Sequence, residues 1–440
     1  MARPIPGARA TGPRRLRTAA CGLAATTLLL TGCGIVGGGS PDGADGNDSL
    51  TGEITFQTWN LKGGYEEYFT GLITAFEEQN PGATVAWVDQ PAEGYQDKLS
   101  ADAVAGTLPD VIDIGPEAAY TLAGAGTLLD LAEADPESEE AYLPASWDAL
   151  TFDGLGGGTY GYPWYLNTGP SFFNTALFEE CGLDPEQLPG TFDELFDAAE
   201  TMAEECDGVP MVGRMPAIET FGTYGVELMN AEGTEFTFDN AEGVELVERY
   251  ARLYEQGGMT EDALNELQTG ELEAFKSGHL AWLPGSSYTL QDLRETAPRV
   301  YEEVGMGPLI ATAAPNMYVQ SLAVNAVSEN QALATEFARF VTNPDNQFAF
   351  AREAAVFPSS QGVLDDPYFT EVQEGDDDSR VRVEAAQQVS EAEVHWPPAF
   401  SSQAADYLRE QVALAIQGDK SAQDALADAA EYANERLSTE

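Results

Sequence analysis

The sequence predicts an α/β protein of two lobes joined by extended crossings, on three observations. Between residues 53 and 114, short apolar strands alternate with amphipathic helices in the order β-α-β-α-β, the pattern of a parallel sheet. Residues 160–174, YGYPWYLNTGPSFFN, are an aromatic run broken twice by proline, which reads as the passage from one lobe to the next. Beyond it a helix-rich block carries apolar stripes of its own, and 440 residues leave room for two or three domains.

In residues 53–59, Ile54 and Phe56 fall on one side of a strand; Trp59 suits either a surface or a cleft. Phe69, Leu72, Ile73 and Phe76 recur at i, i+3, i+4 and i+7 as one helical stripe, and Asn80-Pro81-Gly82 ends it. Residues 84–88 form the next strand, 95–104 a short helix and 110–114 a third strand. Sheets of this kind bind ligands at the carboxyl ends of their strands, here Trp59-Asn60-Leu61-Lys62 and Gly115-Pro116-Glu117.

In the passage, Ser171-Phe172-Phe173 reads as a buried strand, while Trp164, Tyr165 and Asn167 suit a cleft wall or, equally, a loop lending rings to a core. Helices are expected at 176–180, 192–205 (stripe Phe192, Leu195, Phe196, Ala199) and 243–256, with a short strand at 280–283. Strands at 304–310 and 321–325 are expected to return to the first lobe, followed by helices at 332–341, 403–417 and 421–437. The acidic run 374–378 reads as a solvated loop, in preference to a calcium site.

Seventy-four acidic residues face twenty basic ones, a net charge of −54. Five of the basic residues precede Cys33, where there are no acids, so the chain from Cys33 onward has 15 basic against 74 acidic residues, a net of −59. That balance excludes general affinity for nucleic acid or anionic lipid. The acids are spread along the chain, which favours a solvated coat suited to salt over a patch for a cationic ligand.

Arg14, Arg15 and Arg17 precede a short apolar stretch, residues 19–30, and then Leu30-Thr31-Gly32-Cys33, the pattern of a bacterial lipobox. Residues 1–32 are thus expected to be a lipoprotein signal peptide, Cys33 the lipidated first residue, and 33–52 a flexible tether outside the membrane. Export implies an oxidising space, where Cys181 and Cys206 either pair as a disulfide or remain two buried thiols. The only two histidines are His279 and His395, and no HExxH, GxSxG or Walker-type loop occurs, so no catalytic residue, metal or cofactor is expected.

Five segments in this order are similar to one known family: "ITFQTWN…AFEEQNPGATV", "AGTLPDVIDI", "GGTYGYPWYLNTGPSFFNTALFEECGL", "FKSGHLAWLPGSSY" and "VNAVSENQALATEFARFVTNPDNQFAFAREAAVFPSS". The chain resembles the extracellular solute-binding proteins of ABC importers, the family that includes maltose-binding protein. The resemblance implies a two-lobed, periplasmic-binding-protein-like fold of type II, with parallel-rich sheets, flanking helices and a ligand cleft between the lobes. It places one lobe at 53–163 plus 305–343 and the other at 164–304 plus 344–440. It implies no enzyme activity, a monomer, a small carbohydrate as guest and the permease subunits of the importer as partner.

The positions it assigns to the guest are Asn60 and Lys62 beside Trp59, Glu117 after the third strand, and Asn167 beside Trp164 and Tyr165 in the passage. In the second lobe it assigns Glu219, Phe221 and Tyr224, then Trp282 and Tyr288 around a glycine turn that here has an extra serine. A late aromatic falls on Trp396 or Tyr407. A pyranose has an apolar C–H face that suits flat rings and a hydroxyl rim that suits Asn, Glu and Lys. The rival readings are a binding protein for a polyamine or peptide, and a surface-anchored glycosidase with two carboxylates.

Overall fold

Gly52–Trp59 (β1) forms where apolar and polar residues alternate, and it lies between two parallel partners, Ala83–Gln90 (β2) and Val111–Ile114 (β3). The computed structural model describes residues 50–206, 209–264 and 270–438. Cys33 and its flanks, with the expected signal peptide and most of the tether, lie outside the described residues. Among the described residues no helix is long and apolar enough to cross a membrane.

Two short strands, Thr151–Phe152 (β4) and Gly158–Thr159 (β5), pair with each other. Tyr162–Asn167 (β6) and Ser171–Asn174 (β7) then flank the break at Gly169-Pro170, and they belong to different sheets. Trp282–Pro284 (β8), Val304–Gly307 (β9), Tyr318–Val324 (β10) and Phe357–Pro358 (β11) complete the set. The first sheet has the order β11-β6-β10-β3-β1-β2, and the second β8-β7-β9. Among these strands only β1, β2 and β3 pair parallel; β6, β10, β11 and the whole second sheet pair antiparallel.

The helix Lys62–Gln79 buries the expected Phe69, Leu72 and Phe76 against the first sheet. Asp89 anchors its start, accepting from Leu61 N at 3.0 Å and Lys62 N at 3.1 Å. The helix Phe192–Glu205 opens with Thr191 and Glu194 capping each other's backbone N–H groups, and it buries Phe192, Leu195, Phe196 and Ala199 as its period predicts. It packs in a large core with the helices Ala241–Glu255, Ser402–Ile416 and Ala422–Leu437.

Three segments join sheets or cores other than those their order in the chain suggests. Strand β9 does not return to the first sheet; it pairs with β7, because Phe172 and Phe173 need a partner on that side as well as β8. Residues 164–167 are the end of a first-sheet strand, and the helix Pro344–Ala354 packs on the first core through Phe350. The helix Asp377–Val389 begins inside the supposed acidic loop and touches two cores, Val381 facing the second-sheet side and Ala385, Ala386 and Val389 the first.

Cys181 and Cys206 are bonded, their Cα atoms 5.4 Å apart. The helix Thr175–Glu180 and the helix Phe192–Glu205 fold back on each other and bring the two ends together. Changing both cysteines to alanine is expected to cost about 3 kcal/mol, read as a lower urea midpoint. A change below about 1 kcal/mol would mean that packing alone holds this hairpin.

Candidate functional site

Three stretches carry the chain between the sheets: residues 168–170, 308–317 and 390–401. Asn316 ties all three. Its carbonyl accepts from Thr168 Oγ1 at 3.0 Å, its Oδ1 accepts from His395 N at 3.1 Å, and it bridges Glu393. Beside this knot lies a cavity of about 390 Å³. That volume is at the lower end for small-molecule sites, which run from about 300 to 1,000 Å³.

The cavity wall is built from both sides. Asn167 ends β6 and Tyr318 starts β10, Thr168, Gly169, Leu309, Ile310 and Asn316 come from the crossings, and the rest from the second-sheet side. Phe192 starts its helix with its ring on the wall. Trp282, first residue of β8, and Tyr250, from the helix Ala241–Glu255, add two more rings. The turn after β8 closes the floor. Gly285 N donates to Pro170 O at 2.9 Å, and a side chain at Gly169 would sit 1.9 Å from the Gly285 carbonyl oxygen, so only glycine permits this approach.

The polar groups converge there. Arg214 Nε donates to Glu271 Oε1 at 2.7 Å and its Nη2 donates to Oε2, a two-pronged pair over a carboxylate that is only 6% exposed. Tyr318 Oη donates to Glu219 Oε1 at 3.1 Å. Desolvation of the hydroxyl, then the nearby Glu219 charge, raises the Tyr318 hydroxyl, although the residue as a whole is 54% exposed, so it stays protonated as a donor. Among the described residues, Glu219 Oε2 and Trp282 Nε1 are buried with no hydrogen-bond partner. Buried polar atoms are normally paired, so these two mark where a guest's donor and acceptor would fit.

Of the expected site residues, Asn167, Glu219 and Trp282 line this cavity. Tyr224 stands one layer behind, its ring edge-on to Phe192 at 5.5 Å. Trp164 is a correction: it is fully buried in the first core, stacked on Phe350 at 5.1 Å, because β6 lies inside the sheet. Tyr165 packs beside the same ring, so Tyr165 and Tyr224 belong to separate cores. Phe221 is a second correction. It faces inward from the helix Ile218–Tyr224 onto Phe238, which leaves Glu219 on the opposite, cavity side.

Tyr288 does not line this cavity; it is 76% exposed on the helix Ser287–Thr296. The extra serine, Ser286, caps that helix and turns Tyr288 outward, so Gly285, Ser286 and Thr289 meet the cavity in its place. Trp396 donates its Nε1 to Phe400 O at 3.1 Å and packs on the second core. Tyr407 lies on a separate groove, its ring 4.5 Å from that of Tyr432.

The remaining expected residues form the facing edge of the first sheet and do not line the cavity. Trp59 stacks on Tyr95 at 6.1 Å. Asn60 is exposed and turns the chain with φ +54°, a left-handed conformation that asparagine tolerates. Lys62 lies over Trp87, 5.0 Å from its ring centre. Glu117, in the first turn of the helix Pro116–Gly124, accepts from Ser402 Oγ at 3.4 Å, a contact reaching to the helix Ser402–Ile416. Under this edge Asp113 is fully buried, with Gln320 Nε2 donating to its Oδ1 at 2.8 Å. Burial lifts its carboxyl to about 8, against the opposing pull of the Gln320 and Trp59 hydrogen bonds.

Sequence reasoning missed Arg214, Tyr250, Asn316 and Tyr318. Arg214 had a signal, being one of only 15 basic residues from Cys33 onward. Asn316, Tyr318 and Gln320 alternate as polar residues running into a buried strand, and that too was visible. Tyr250 carried none, since it fits its helix's apolar stripe.

Residues 62–348 match the model of the family described as bacterial extracellular solute-binding protein. The chain belongs to that family. Among curated relatives of this solute-binding protein, the diacetylchitobiose binding protein DasA of Streptomyces coelicolor is 24% identical, over 80% of this chain and 83% of its own. The galactooligosaccharide-binding protein of Bacillus subtilis is 23% identical, over 78% and 80%. A solved structure from Synechococcus sp. MITs9220, provisionally assigned as an oligosaccharide periplasmic-binding protein, superposes with a TM-score of 0.76 at 26% identity, covering 88% of this chain and 99% of that one. The cyclic alpha-maltosyl-1,6-maltose binding protein of Arthrobacter globiformis, at 22% identity and TM-score 0.72 over 89% of this chain and all of that one, shares the fold. The two-sheet α/β architecture is thus that of periplasmic binding proteins, and the relatives are binding proteins by name.

Proposed function

We propose that this solute-binding protein captures a sugar or short oligosaccharide between its two sheets and delivers it to the permease of an ABC importer, while tethered outside the cell membrane through a lipid on Cys33. The observation that carries the reading is the cavity itself. Flat rings of Trp282, Tyr250 and Phe192 meet the unpartnered Glu219 Oε2 and Trp282 Nε1 at the crossings between sheets. That combination matches the apolar face and polar rim of a pyranose. The names of the curated relatives, binders of diacetylchitobiose and galactooligosaccharide, support the same class.

The lobes follow the sheets. One comprises residues 50–167 and 318–389, the other 171–307 and 402–438, with the three crossings between them. The first-sheet edge, with Trp59, Asn60, Lys62 and Glu117, is the second jaw. Closure brings it over the guest, driven only by the guest's preference for the closed state.

A thermal-shift panel of mono- and oligosaccharides, amino acids, peptides and polyamines tests the function. A guest at one hundred times its Kd adds about 2.7 kcal/mol, several degrees in melting temperature. Stabilisation by a sugar, recovered uncleaved after incubation, is the expected result. Stabilisation by peptides or polyamines alone, or cleavage of the sugar, would replace the reading.

A further inference from the structure

We infer that the guest of this cavity carries a protonated amine, so that the sugar taken is an amino sugar in preference to a neutral or acidic one. The inference rests on the sugar-binding reading and deepens it. It comes from a charge without a partner. Arg214 and Glu219 line the wall, and Glu271 pairs with Arg214. Arg214 is held by both oxygens of Glu271, which makes a neutral pair. Glu219 is left over: its Oε1 receives only the Tyr318 hydroxyl, and its Oε2 is buried with no partner among the described residues.

The same cavity is lined by the aromatic residues Phe192, Tyr250, Trp282 and Tyr318. A neutral guest filling this space offers Glu219 hydroxyl donors without a counter-charge. Leaving a charge desolvated and uncompensated is costly. An ammonium group supplies a donor and the opposite charge together, and ring faces attract it as well. A uronic acid or a sugar phosphate meets the same carboxylate and a chain with 74 acidic residues against 20 basic ones, so both the local and the overall field oppose it.

Calorimetry at pH 6 on the whole chain tests this, with four probes: β-1,4-linked glucosamine oligomers, the same oligomers N-acetylated, neutral gluco-oligosaccharides, and spermidine. The expected result is that glucosamine oligomers bind roughly 10- to 100-fold tighter than their acetylated forms, the range set by one charge-assisted hydrogen bond. High salt should weaken the amine-bearing guest several-fold and barely affect the acetylated one. Glu219→Gln should abolish the preference, and the salt titration on the unchanged protein reads the same point should that variant fail to fold. Equal or tighter binding of acetylated or neutral oligomers overturns the amine inference and leaves the sugar reading standing. Binding of spermidine with no sugar overturns both, as does no binding by any probe.

Discussion

Replacing Arg214 with methionine is expected to destabilise the protein by about 2 kcal/mol at neutral pH, below the full cost of breaking a buried ion pair because the Arg214 side chain is 34% exposed while that of Glu271 is 6% exposed. The reason lies in what remains. Glu271 is 6% exposed, and both its carboxylate oxygens are held by the Arg214 fork. Without the fork its charge stays buried beside the second core. Arg214→Lys should recover only part of the loss, because an ammonium cannot reach both oxygens in one plane. The double change Arg214→Met with Glu271→Leu should recover most of it, since the stranded charge is gone. Urea unfolding of the set measures this. A single-variant loss under about 1 kcal/mol, or a double variant no better than the single, would show that solvent reaches Glu271 and that the pair does not hold the wall.

The second large effect is a pH dependence written into Asp113. Its carboxyl titrates at about 8 in the folded chain, raised by complete burial, against an ordinary value near 3.8. The unfolded chain therefore releases this proton at lower pH than the folded one. The folded state is favoured while Asp113 is protonated in it, and that advantage is lost as pH rises from the unfolded value through the folded one. Between pH 5 and pH 8 the loss from this group comes to about 4 kcal/mol. Asp113→Asn keeps an acceptor for Gln320 and removes the charge. It is expected to melt higher than the unchanged protein at pH 8 and close to it at pH 5. Parallel melting curves at both pH values would sink the idea.

Asp113 also sits under the edge that faces the cavity, joined through Gln320 to the strand that begins at Tyr318. The same strand thus touches the buried acid of the first sheet and, through Tyr318, the Glu219 carboxylate of the second side. Alternation puts Tyr318 and Gln320 on one face, so a guest held at Glu219 bears on a strand continuous with the first sheet.

Much of this architecture is local and therefore legible from residue order. The β-α-β-α-β opening, the stripe of Phe69, Leu72 and Phe76, the stripe of the helix Phe192–Glu205 and the last two helices all follow from periodicity and stop signals. Cys181 with Cys206, and the candidate residues Asn167, Glu219 and Trp282, were also within reach. What periodicity cannot decide is which sheet a strand joins and which way a ring faces once it does. Trp164 and Phe221 are aromatic residues in the right segments, yet packing turned them into cores, while Phe192 and Tyr250, read as ordinary stripe residues, reached the cavity wall.

The sequence by itself determined the two-lobed α/β class, the strongly acidic surface and the segments from which a site is drawn, because those depend on composition and short-range pattern. Only the tertiary structure decided that β9 stays with β7, that Asn316 knots three crossings, and that Arg214 neutralises Glu271 while Glu219 keeps a bare oxygen. These are meetings of residues tens to hundreds of positions apart, and their geometry exists only after both cores have closed.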